Sequence, residues 1–122
     1  MSKKVLCLVI TRMVAGGAQK IVLELIKKIP KEEFEIHLIA GEVTGKEGSY
    51  WDEAKSLLDE KYIHVLSSLI RAPNPFKDYS AYRSLLRIFK EVKADIVHTH
   101  TSKAGVIGRL AAQKLNVPKV IH

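Results

Sequence analysis

Two short stretches of this sequence combine residue types that can do chemistry. Gly16-Gly17 stands directly before an amphipathic segment, where glycines let backbone N–H groups approach an anion at the positive end of a helix dipole. The pair lacks the GxGxxG spacing of a dinucleotide site, and a tight strand-to-helix turn would ask for the same glycines. The second stretch is His100-Thr101-Ser102-Lys103. Ser102 is placed to cap the helix that follows, so Lys103 falls in a first turn where the dipole disfavours a cation. A local rule broken at the end of a strand points to a cation with a task; the alternative is a solvated lysine.

The remaining candidates are weaker. His98 and His100 alternate with Thr99 and share one strand face, so with His122 on a neighbouring strand they offer three imidazoles. No carboxylate or cysteine completes a ligand set, and no metal is assigned. His37 and His64 fall inside strands and read as structural. Arg83, Arg87 and Lys90 form a basic stripe at helical spacing, either a solvated face or a contact for anionic lipid headgroups, worth about 1 kcal/mol per basic residue near such a surface.

The elements that must position these residues follow from periodicity. Lys4 to Thr11 is a continuous β-prone apolar run, as in a strand covered on both faces. Ala18 to Ile29 places Val22, Leu25, Ile26 and Ile29 on one side of a helix stopped by Pro30. Glu35 to Ala40 is the second strand. A loop through Gly41, Gly45 and Gly48 and a short helix from Trp51 to Asp59 lead to a third strand, Tyr62 to Leu66. Asn74-Pro75 opens a helix reaching Val92, with Tyr82, Leu85, Phe89 and Val92 inward. Asp95 to Thr99 is strand four, Lys103 to Leu115 the next helix, and Lys119 begins a fifth strand in which the sequence stops. This βαβαβαβαβ order implies an α/β fold, a Rossmann-like open parallel sheet with helices on both faces. Ligands of such sheets bind at the carboxyl ends of the strands where the order reverses, here between strands one and four. The glycine pair and the stretch from His100 to Lys103 lie in the two loops that face each other there.

Composition narrows the class. A chain of 122 residues is one domain, 47% hydrophobic and 27% charged, the mix of an ordinary soluble protein. The single cysteine, Cys7, lies in an apolar run, so no intramolecular disulfide forms and a reducing, cytoplasmic setting is expected. No apolar run is long enough to span a bilayer. A formal charge of +7 favours anionic partners. Interleaved arginines and aromatics, or zinc-finger spacing, are missing, which disfavours nucleic acid.

The residues from Asp95 to Ala112, Asp-Ile-Val-His-Thr-His-Thr-Ser-Lys-Ala-Gly-Val-Ile-Gly-Arg-Leu-Ala-Ala, resemble a hallmark segment of the family-4 retaining glycosyltransferases. Gly16-Gly17-Ala18-Gln19 resembles their first loop, and Leu69 to Asp78 resembles the segment before their third helix. The resemblance implies one half of a GT-B architecture, the N-terminal, acceptor-side domain. It implies a nucleotide-sugar donor as substrate, no other cofactor, and a glycan or lipid-linked acceptor in cell-envelope polysaccharide synthesis. Gly16 and Gly17 map to donor binding; Gln19, His100, Thr101, Ser102 and Lys103 map to acceptor binding. No catalytic residue is assigned, because the histidine that the family places after strand five would fall beyond His122.

The expected partner is a C-terminal donor-binding domain, or a separate chain equivalent to it, and the chain by itself is expected to be inactive. Peripheral contact with the inner face of a membrane and self-association through the open edge of strand five are further expectations. The rival readings are a noncatalytic subunit of a split enzyme and a stand-alone nucleotide-binding domain.

Overall fold

The computed structural model describes residues 3–12, 17–42 and 51–122. Along the chain run β1 (Lys4–Arg12), α1 (Gly17–Lys28), β2 (Phe34–Gly41), α2 (Trp51–Leu57), a 3-10 turn (Glu60–Tyr62), β3 (Ile63–Leu66), α3 (Pro75–Val92), β4 (Ile96–His100), α4 (Ser102–Lys114) and β5 (Lys119–Ile121). The strands form one sheet in the order β3-β2-β1-β4-β5, and every pairing is parallel. Its order reverses between β1 and β4, the position expected from the sequence.

β1 is apolar on both sides because both sides are covered. Cys7 and Val9 pack into a cluster with Leu85 and Phe89 of α3 and Ala111 of α4. Leu6, Leu8 and Ile10 point the other way, into a cluster with Val22 and Ile26 of α1 and Ala54 of α2. Burying a side chain such as Phe89 or Leu8 contributes about 1.5–3 kcal/mol. The buried face of α1 is Gln19, Val22, Leu23 and Ile26, turned slightly from the expected one, with Leu25 and Ile29 only partly buried at its margin. Cys7 is fully buried, and burial, followed by the charges of Glu35 and Asp95, pushes its thiol up to about 12.

α3 starts as its sequence predicts. Asn74 accepts a hydrogen bond from the Lys77 N–H at 3.1 Å, and Pro75 takes the first helical position. β4 is shifted by one residue from its expected span. Asp95 precedes it and clasps β1, accepting from the Val5 N–H at 2.8 Å and donating its own N–H to the Val5 carbonyl at 2.9 Å. β5 lies at one edge of the sheet, its three residues exposed. No described helix is long and apolar enough to cross a membrane.

Candidate functional site

The carboxyl ends of β1 and β4 open into a crevice of about 480 Å³. Its floor is made where the two strands end. The Thr11 hydroxyl lies 2.8 Å from the Thr101 hydroxyl, and Thr101 also donates to the His100 carbonyl. Thr101 holds this bridge with φ 74°, a conformation that costs a non-glycine residue about 1–3 kcal/mol. It is the N-cap of α4, with no side-chain capping bond, and Ser102 is the first helical residue and is exposed. The cap assigned to Ser102 on sequence is therefore corrected. The threonine side chain one residue earlier is held by β1, and the backbone turns at that point.

Gln19 reaches the crevice from α1. It is 9% exposed, and its amide nitrogen donates to the Arg12 carbonyl at 2.9 Å, holding the end of β1. Gly17 is the first residue of α1, where an added Cβ would meet nothing within 4 Å. Among the described residues neither packing nor a left-handed backbone demands a glycine at this position. Gly16 lies outside the described residues.

Lys103 lines the crevice, but its charge is already matched. The ammonium lies 2.8 Å from Oδ1 of Asp78 in the first turn of α3 and donates to the Ala72 carbonyl; the side chain is 16% exposed. Of the two sequence readings of this residue, the solvated lysine is replaced by an ion pair joining α4 to α3, and the cation with a task keeps its place at the crevice. A carboxylate 25 residues away stabilises the cation at the start of α4. Sequence reasoning also passed over three lining residues, Thr11, Arg12 and Arg71. Arg71 sits in the stretch compared with the family's third-helix approach, so a signal was present, but no local pattern marked its side chain.

His100 is not among the crevice's lining residues. Its ring lies on the other face of β4, 4.2 Å from that of His98. Burial, then the charges of His98 and His122, pushes it down to about 4, and among the described residues its buried Nε2 has no hydrogen-bond partner. His122 faces away, with Nδ1 2.7 Å from the Thr99 hydroxyl and its ring against Gly105. The three imidazoles do not converge, and among the described residues no group of three or more His, Cys, Asp or Glu could hold a metal ion. Residues Arg83, Arg87 and Lys90 are exposed and line a shallow groove with Tyr79 and Lys114.

Comparison with known proteins places this geometry in a family. The sequence profile of Glycosyltransferase Family 4 matches residues 15–122. Over 107 residues the chain is 37% identical to UDP-Gal:alpha-D-GlcNAc-diphosphoundecaprenol alpha-1,3-galactosyltransferase of Escherichia coli, covering 88% of this chain and 26% of that protein. The chain thus spans about a quarter of that relative's length. Among solved structures, Acinetobacter baumannii MurG superposes with a TM-score of 0.67 at 21% identity, over 98% of this chain and 34% of MurG. Methanocaldococcus jannaschii UDP-GlcNAc 2-epimerase, in complex with UDP-GlcNAc and UDP, gives 0.67 at 16% identity, over 95% of this chain and 31% of its own.

Proposed function

Because this chain belongs to glycosyltransferase family 4, as an N-terminal GT-B domain, we propose that its crevice is the acceptor side of a sugar transfer. The sugar would pass from a nucleotide-sugar donor to a glycan carried on a lipid diphosphate, in cell-envelope polysaccharide synthesis. The observation that carries this reading is the crevice between β1 and β4, built from the same loops that carry the family's sequence. The E. coli relative, by its name, uses a diphosphoundecaprenol-linked acceptor, which supplies the acceptor class to test.

In this reading Gly16 and Gly17 leave room for the donor's diphosphate, and the open space at Gly17 supports it. Gln19, Thr101 and Ser102 border the acceptor, and Lys103 lines the same crevice while held by its ion pair with Asp78. His100 lies behind the end of β4 and contributes a neutral ring. The donor would be held by a second domain, on the same polypeptide or on a partner chain, with retention at the anomeric carbon and no metal. Transfer therefore requires that second domain.

A radiolabelled UDP-galactose assay tests this, with a short-chain lipid diphosphate of N-acetylglucosamine as acceptor. The chain alone should show no transfer, and the chain joined to the donor-binding part of the E. coli relative should show it. Turnover by the purified chain alone would overturn the half-enzyme reading.

Phe76 is 89% exposed and Tyr79 60% exposed on the helix that bears Arg83, Arg87 and Lys90. This combination supports peripheral docking on an anionic bilayer, where a lipid-linked acceptor resides. Co-sedimentation with vesicles should require anionic lipid and weaken in an R83Q/R87Q/K90Q variant.

A further inference from the structure

Lys103 and Arg71 approach the crevice from different loops and with different freedom. Lys103 pairs its charge with Asp78 and donates a hydrogen bond to the Ala72 carbonyl. Ala72 is the neighbour of Arg71, so the lysine grips the backbone of the loop that carries the arginine. Arg71 itself is exposed, lines the crevice, and has no hydrogen bond or ion pair among the described residues.

The loop that presents Arg71 is fixed on both sides. Leu69 is 1% exposed, its N–H donates to the Leu66 carbonyl at 3.1 Å, and a Cβ on Gly41 would overlap its carbonyl oxygen. Only a glycine at the end of β2 lets the loop fold this close over the sheet. Beyond the loop, Asn74 caps α3. The backbone of Arg71 is thus held at three points while its guanidinium has no partner among the described residues in the crevice that Ser102 also lines. Arg12 adds a second guanidinium to the lining.

A neutral sugar offers a guanidinium no charge to pair with, whereas a phosphate ester can take two parallel N–H···O bonds from it, a geometry that a lysine does not reproduce. We propose that Arg71 binds the phosphate or diphosphate group of the acceptor, and that Lys103 is a positioning residue acting through the Arg71 loop. This rests on the acceptor-side reading and names the chemistry that the acceptor must carry.

The test uses the 122-residue chain and four probes followed by NMR titration: inorganic pyrophosphate, a short-chain lipid diphosphate of N-acetylglucosamine, neutral octyl N-acetylglucosaminide and UDP-galactose. Pyrophosphate and the lipid diphosphate sugar should perturb the Thr101 and Ser102 amides. R71Q should weaken both by about tenfold or more, R71K less, and neither should change binding of the neutral glycoside. K103M should weaken pyrophosphate binding in the wild-type background and add nothing in the R71Q background, because it acts through the arginine. A direct phosphate contact by Lys103 would make the two losses multiply, and overturn its positioning role.

Undiminished pyrophosphate binding by R71Q, or no pyrophosphate binding at all, would overturn the anion site. If R71Q weakens UDP-galactose and leaves the lipid diphosphate sugar untouched, the charge serves the donor and the acceptor assignment falls. If pyrophosphate binds through Arg71 but neither sugar probe gains anything from its sugar, the anion site stands and the acceptor-side reading fails.

Discussion

The two faces of the sheet hold histidines in opposite states. On the α3 side, His37 is 4% exposed with both ring nitrogens engaged, Nε2 2.7 Å from Glu35 and Nδ1 3.0 Å from His64, and its ring meets Tyr62 edge-on. On the α1 side, the His100 and His98 rings lie against each other at a tilt of 41°, and among the described residues His100 Nε2 is buried without a partner. The first arrangement cross-links β2 to β3 through satisfied polar groups. The second keeps two imidazoles neutral by desolvation, one residue before the crevice floor. A histidine's residue type therefore says little about its role; what its nitrogens meet decides whether it stabilises the fold or only tolerates burial.

Replacing each histidine by leucine should separate the two states. His37→Leu leaves Glu35 and His64 without their shared partner and should cost about 2–3 kcal/mol. His100→Leu removes an unpartnered polar atom and should lie within about 0.5 kcal/mol of the parent at neutral pH. Urea unfolding at neutral pH measures both. Equal losses at the two positions would break the comparison.

Acid should expose the same difference. His64, His98 and His100 all have folded-state pKa values below their ordinary 6.5, chiefly through burial, with His100 lowest at about 4. Below pH 6.5 the unfolded chain takes up protons that the folded chain refuses, so stability falls as pH drops from 6.5 toward 4. At pH values above 6.5 these groups are neutral in both states and contribute no slope. Thermal melts from about pH 7.5 down to about pH 4.5 should show a falling Tm, and the slope should be shallower in His100→Leu. An unchanged slope in that variant would mean that the loss arises elsewhere.

The third histidine state should give the smallest effect. A Cβ on Gly105 would overlap the His122 ring, a side chain at the sheet edge that can swing away. Gly105→Ala would then lose the Thr99–His122 hydrogen bond, costing about 1 kcal/mol. The gain in helix propensity is about 1 kcal/mol, so the net change should be close to zero. The checks are an unchanged Tm and a changed His122 ring resonance.

Much of the site's address is legible in the residues themselves. The apolar run from Lys4, the Asn74-Pro75 start of α3 and the α/β alternation are local signals, and the rule for parallel sheets turns them into a crevice between β1 and β4. Lys103 also announces itself, by breaking the helix-dipole preference. Its explanation is not local, because Asp78 comes beside it only when α3 and α4 pack on the same face of the sheet. Arg71 gives no such signal; an arginine between Ile70 and Ala72 reads like any loop residue.

By itself the sequence determined which segments become strands and helices, since periodicity, capping and turn residues act over a few positions. It also determined the family, through a run of residues from Asp95 to Ala112. The tertiary structure alone decided the pairing of Lys103 with Asp78 at the crevice. Pairing depends on distances of about 3 Å between groups far apart in sequence, and those distances exist only after the loops have been laid over the sheet. Gly41 shows the coupling: it lies at the end of β2, and the close approach it permits at Leu69 sets where the loop carrying Arg71 lies.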